Sequence, residues 1–257
     1  VYNEQVTFNE IPGASATNTI TLQSESGNKT DVTLTAAGSS TAYHTLLLNG
    51  TDWMRVRNMT ITGTNASYGR IVSLLSGATN NVVENNNIFC ATGATSSGST
   101  PIYMYNAANN DNRFENNDLR WGYYGSYLYG ISSTTMNTGT KFINNRIADA
   151  YYYGLLSYYQ GGIEIIGNTI TSTNTTMYYG MYLYYNQNAI RVLNNKLTAT
   201  AASGTLYGMY IYYCTATSGS EGRIANNFVH ANRGSSTVYG MYVYYPNYQN
   251  VDFNTVN

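Results

Sequence analysis

With 257 residues, 10% charged side chains and a formal net charge of −1, the chain lacks the basic excess of a nucleic-acid binder. Its 28 tyrosines, 24 glycines and only 3 prolines, amid abundant Asn, Thr and Ser, favour strands and tight turns. The 43% hydrophobic content excludes a disordered chain. No apolar run reaches the roughly 18 residues that a membrane span needs, and no signal-peptide pattern or initiator Met stands at Val1. The chain is therefore expected to begin after processing or inside a longer protein.

In chain order, Val6, Phe8, Ile20, Leu22, Val32 and Leu34 read first, as an opening coil of short strands. A motif ending in an aliphatic anchor then recurs, at Ile61, Ile88, Leu119, Ile147, Ile170, Leu197, Val229 and Val256. Two residues before the anchor stands Asn86, Asn117, Asn145, Asn168, Asn195, Asn227 or Asn254, and only Met59 departs. Three before it stands Asn58, Asn85, Asn116, Asn144, Asn194 or Asn226, with Gly167 and Phe253 as exceptions. Five before it, Val56, Val83, Phe114, Phe142, Ile165, Val192, Ile224 and Val251 form a second apolar column. The spacing varies from 23 to 32 residues, which Ser/Thr/Gly-rich insertions such as 91–100 and 198–205 absorb.

A second motif, Tyr-Gly-aliphatic, falls at Tyr129-Gly130-Ile131, Tyr153-Gly154-Leu155, Tyr179-Gly180-Met181, Tyr207-Gly208-Met209 and Tyr239-Gly240-Met241, with an imperfect copy at Tyr68-Gly69-Arg70. Alternation places Met181 and Leu183 inward and Tyr182 and Tyr184 outward. A unit of about 28 residues cannot bury its own apolar face, so the units must stack. The fold class expected is all-β: a single-stranded parallel β-helix of about eight to nine coils, one domain over 1–257. The crossover rule favours a right-handed path. Asn tolerates the left-handed backbone of a tight turn, and stacked Asn side chains can form an amide ladder. Neither end reads as a polar cap, so flanking domains of a longer chain are expected.

The Asn-Asn-x-Ile turn and the Tyr-Gly-Ile/Met-Tyr strand resemble the β-helix repeats of the pectin-lyase-like superfamily. The runs Tyr2-Asn3-Glu4-Gln5-Val6, Ile11-Pro12-Gly13-Ala14-Ser15 and Thr51-Asp52-Trp53 resemble β-helix regions of large bacterial surface proteins, many exported by the type 9 secretion system. The resemblance implies a secreted, cell-surface location. It does not fix an activity, because the fold carries enzymes and non-enzymes alike.

A superfamily lyase or hydrolase would need clustered acids, a basic proton acceptor or paired aspartates. Only 13 acidic residues occur, without Asn-Thr-Asp, Asp-Asp or Gly-His-Gly runs, and His44 and His230 fall in different coils. Glu84 and Glu115 are the best carboxylate pair, with Arg57 and Arg113 near enough to neutralise them. Lys141, Glu164 and Arg191 should stack as alternating charges, and Asp118 should meet Arg146. Asp149 beside Trp121 could hold a sugar, although a corner-packed Trp is the simpler reading. Cys90 and Cys214 lie about four coils apart and are expected as buried free thiols. No catalytic residue, metal site or cofactor is expected.

The tyrosines remain. Two outward columns, Tyr182/Tyr210/Tyr242 and Tyr184/Tyr212/Tyr244, should form exposed aromatic ladders, with Tyr185, Tyr213 and Tyr245 at the next corner. Tyr103, Tyr105, Tyr158 and Tyr159 add to them in earlier coils. Such ladders stabilise a sheet by cross-strand stacking, and flat rings with hydroxyls also suit sugar rings. The expected function is a non-catalytic structural and adhesive segment whose six ladder tyrosines bind a polysaccharide or cell-surface glycan. A polysaccharide lyase or glycoside hydrolase is the alternative.

Overall fold

The computed structural model describes residues 1–200, 204–232, 234 and 237–257. Residues 201–203 of the 198–205 insertion lie outside them. Every sheet pairing among the described strands is parallel, and three long sheets run side by side along a rod, of ten, nine and nine strands. Each coil contributes one short strand to each sheet. The first full coil uses Val6–Asn9, Ile20–Gln23 and Thr33–Ala36; the second uses His44–Asn49, Met54–Arg57 and Thr60–Gly63. The opening coil is thus present as expected, and about nine turns of solenoid follow one another.

The two apolar columns are the core. In the ten-stranded sheet the anchors register one above the next, from Leu34 through Ile61, Ile88 and Leu119 to Val229 and Val256. In a nine-stranded sheet Leu22, Val56, Val83, Phe114, Phe142 and Ile165 do the same. Most of these side chains are fully buried, and Phe114 and Phe142 pack with ring centroids 6.0 Å apart. A coil alone could not bury them; stacked, they make one continuous apolar core.

The two Asn columns divide the work of the turn between them. Asn58, Asn85, Asn116, Asn144, Asn194 and Asn226 have φ between 53° and 57°, in the left-handed region, and Gly167 fills the same position at 69°. Asn tolerates this conformation better than other side chains, and glycine better still. The neighbouring column is buried and forms the amide ladder. Asn145 Nδ2 donates to Asn168 Oδ1 at 3.2 Å and to the Phe114 carbonyl at 2.9 Å. Its Oδ1 accepts from the backbone N–H and Nδ2 of Asn117, each at 3.0 Å. The pattern repeats from Asn86 to Asn254. Met59 donates its backbone N–H to Asn86 Oδ1 at 3.1 Å, so the coil without Asn still joins the ladder.

The Tyr-Gly motif has a steric cause. A Cβ built on Gly125, Gly154, Gly180, Gly208 or Gly240 would lie 2.3, 2.8, 2.2, 2.5 or 2.0 Å from Ile147, Ile170, Leu197, Val229 or Val256. Each glycine leaves room for the anchor of its own coil. This corrects the motif's register. Tyr124 pairs with Tyr153, so Tyr124-Gly125-Ser126 is the true copy, whereas Tyr129 pairs with Tyr158. Polar Ser126 at the aliphatic position hides the motif, and the Gly130 that follows Tyr129 imitates it. The Tyr68 copy is also displaced: Gly69 pairs with Ser99 and Arg70 with Thr100.

The ladder should be costly to interrupt. Asn145→Ala is expected to destabilise the rod by about 3 kcal/mol in urea unfolding, because buried donors and acceptors on both neighbouring coils lose their partners. Removing the exposed ion-pair partner Lys141 by Lys141→Ala should cost about 1 kcal/mol or less. Equal effects would show that the amides do not hold the coils together.

Candidate functional site

The third sheet carries the tyrosines, and parallel register places like on like. Tyr182, Tyr210 and Tyr242 pair in sequence, as do Tyr184, Tyr212 and Tyr244. Successive centroids in the first column are 5.1 and 5.0 Å apart, with planes within 4° and 6° of parallel. In the second they are 5.1 and 4.8 Å apart, within 5° and 17°. Strand spacing near 4.8 Å brings the rings to stacking distance without any further adjustment. The six expected residues are therefore brought together on one face.

Their exposure is lower than alternation alone suggests. Tyr244 is 44% exposed, while Tyr182, Tyr184, Tyr210, Tyr212 and Tyr242 are half-buried. Each ring covers the next, leaving edges and hydroxyls to solvent. No tyrosine hydroxyl among the described residues is both buried and without a partner.

A third column escaped the sequence reading. Tyr124, Tyr153, Tyr179, Tyr207 and Tyr239 stack at 5.1, 5.1, 5.3 and 4.7 Å along the same face. Strict alternation from Tyr182 would turn Tyr179 inward. Instead Gly180 and Met181 are both buried, so Tyr179 faces outward with Tyr182 and Tyr184. The repeated Tyr-Gly pair was the available signal. The middle column also continues back to Tyr127 and Tyr103, which stack at 5.2 Å, with Leu156 interrupting it. At the corner, Tyr159, Tyr185, Tyr213 and Tyr245 all adopt left-handed φ of 50° to 55°.

The charged residues pair elsewhere on the rod. Arg57 reaches Glu84 at 3.7 Å, and Arg113 pairs with Glu115 on its own strand. Glu164 sits between Lys141 and Arg191, at 3.5 Å from each. Asp118 takes Arg146 at 2.8 Å and Arg120 at 2.6 Å. Burial would raise the Asp118 carboxyl, but the hydrogen bonds from these two arginines outweigh it and hold it below the usual range. Trp121 packs edge-on against Phe89 at 5.7 Å and shares a small corner cleft with Asp149 and Tyr151. His44 meets Thr7 Oγ1 at 3.3 Å, while His230 lies on the ten-stranded sheet opposite Thr198. Cys90 and Cys214 are free and buried, and burial pushes both thiols up to about 12. Among the described residues no three His, Cys, Asp or Glu side chains converge as a metal site, and no helix is long and apolar enough to cross a membrane.

Packing sets the ionisation of the face. Partial burial first, then neighbouring phenols, push Tyr124 and Tyr210 up to about 12 and raise Tyr153, Tyr179 and Tyr182 as well. A phenol held above its unfolded value near 10 keeps its proton in the fold after the unfolded chain has lost it. The stabilisation is complete below pH 10 and fades as pH climbs through the folded value. Titration at 295 nm should show ladder phenols ionising above the free-tyrosine range, with the rod losing stability between pH 10 and 12. A single ordinary tyrosine titration without loss of stability would contradict the stacked face.

A family model described as the right-handed β-helix region matches residues 44–209 and again 101–257. Among solved structures, one titled "Crystal structure of pectate lyase Pel9A" aligns with a TM-score of 0.49 and 15% identity. The alignment covers 98% of this chain and 69% of that one. No curated protein matches the chain. The parallel coils, the stacked Asn turns and the family match agree, and the chain belongs to the right-handed β-helix family.

Proposed function

We propose that this rod is a non-catalytic structural and adhesive segment of a secreted surface protein, and that its tyrosine face binds a polysaccharide or cell-surface glycan. The observation that supports this reading is the face itself. Three columns of stacked tyrosines occupy one sheet, and from Tyr124 to Tyr244 these columns carry no ionised side chain. Flat rings offer apolar surface to the C–H faces of sugars, and hydroxyls at the edges can donate or accept hydrogen bonds. Stacking fixes the side chains beforehand, so binding orders little that is not already ordered.

The charge arrangement favours binding over hydrolysis or elimination. Glu84 and Glu115, the strongest carboxylate pair, are each neutralised by an arginine rather than poised over a cleft. A general acid or base needs a free group at the reacting bond.

The combined variant Tyr182→Ala, Tyr210→Ala and Tyr242→Ala tests the assignment on a glycan array. Binding should fall at least tenfold, the ratio that about 1.4 kcal/mol of lost stacking produces, while the parallel-sheet circular dichroism is kept. Undiminished glycan binding by this variant would refute the face as the site.

A further inference from the structure

One cation stands at the N-terminal end of the tyrosine face. Arg70 pairs in register with His44 on one side and Thr100 on the other, on the strand Gly69–Leu75. Its guanidinium carbon lies 4.3 Å from the Tyr43 ring centroid and 4.0 Å from that of Tyr103. Arg57, Arg113, Arg120, Arg146, Arg191 and Arg223 each have a carboxylate within 4.0 Å; among the described arginines Arg55 and Arg70 have none, and of these two only Arg70 lies on the tyrosine-bearing sheet. Its Nε is buried and has no acceptor. Arg70, Ser97, Tyr103, Tyr105, Tyr124 and Tyr127 line a cleft of about 430 Å³, with Leu75 at its side.

We infer that this cleft is an anion subsite of the glycan-binding face, taking a carboxylate or sulfate carried by an acidic polysaccharide. The inference rests on the proposed binding role and adds the charge of the ligand. A guanidinium covered on its faces by aromatic rings is poorly hydrated and offers its donors along its edge. A planar carboxylate, or two sulfate oxygens, accepts two such bonds in parallel. With no carboxylate beside it, the guanidinium is left with charge and edge donors that an anion in the cleft would satisfy. Tyr103 and Tyr127 stack at 5.2 Å beside the cation and offer aromatic surface to a sugar ring that carries the anionic group. A sugar ring on those tyrosines would set its acidic substituent at Arg70.

Dextran, carboxymethyl dextran and dextran sulfate share one backbone and differ in charge, so affinity electrophoresis of the whole chain against the three separates the contributions. The wild type should hold one or both anionic dextrans about tenfold more tightly than neutral dextran, the scale of a bidentate charged contact. A response to only one of them tells carboxylate from sulfate as the source. Arg70→Gln should abolish the excess, and Arg70→Lys, which keeps charge but not the planar fork, should restore only part of it. The inference is overturned if the wild type treats all three polymers alike, retains none, or if Arg70→Gln keeps the preference. The wild-type comparison stands even if a variant fails to fold. The Tyr182→Ala, Tyr210→Ala, Tyr242→Ala variant separates the two proposals: unchanged retention of every polymer by it removes the ladder reading, whereas loss of charge preference in Arg70→Gln alone bears on the subsite.

Discussion

The buried amide ladder is the constraint on which the rest of the molecule depends. An Asn side chain has two donors and one acceptor oxygen with two lone pairs. Each interior ladder Asn, such as Asn145, directs its donors to the next amide and to a carbonyl of the preceding coil, while its oxygen receives two N–H groups. No coil can satisfy this set by itself. In an interior where an unpaired amide is expensive, the requirement is met only if coils stack in one register. Aliphatic columns supply the larger driving force and fix which face turns inward; the ladder adds a directional requirement at every coil. Met59 fits the same logic, because the coil where the ladder starts has only to donate a backbone N–H.

The fold was readable because the constraint repeats. Asn at one offset and apolar residues at two others survive insertions of several residues, since the insertions lie in turns. Cross-coil charge contacts were readable for the same reason, and Lys141, Glu164 and Arg191 stack as the columns imply. Arg113 was readable by another route: it pairs along its own strand with Glu115, two residues on and facing the same side. Sequence columns show which residues are stacked, but a long side chain chooses among several neighbours.

The candidate site was half readable. Columns based on Tyr182 and Tyr184 followed from period-two alternation, which holds through that part of the strand. Tyr179 did not follow, because Gly180 and Met181 both face the core and shift the phase. A Cβ at residue 180 would clash with Leu197 and with the Gly208 carbonyl of the next coil, contacts between sheets and between coils that a single strand's pattern does not reveal. The Tyr129 copy failed for a related reason. Two Tyr-Gly pairs lie in one coil, at Tyr124 and Tyr129, and register decides between them. Arg70 was invisible as a site because its isolation from carboxylates is a property of the assembled surface.

Order in the tyrosine face is a consequence of the ladder rather than a separate achievement. Rings within 4° to 6° of parallel, as at Tyr182, Tyr210 and Tyr242, require coils that neither slip nor splay. Leu156 shows what a break in the column does. It stands between Tyr127 and Tyr182 in the middle column, so an aliphatic side chain parts those two rings, while Tyr153 keeps its place in the neighbouring column, within 11° of parallel with Tyr179. The stacked surface is thereby divided in that column, into a Tyr103–Tyr127 pair beside Arg70 and a Tyr182–Tyr210–Tyr242 run remote from it. A long polymer lying along the rod would meet a charged end and a neutral end, while the columns through Tyr153 and Tyr158 carry the aromatic surface past the gap. One arginine at the end of otherwise neutral aromatic columns is enough to give the two ends of a repetitive face different chemistry.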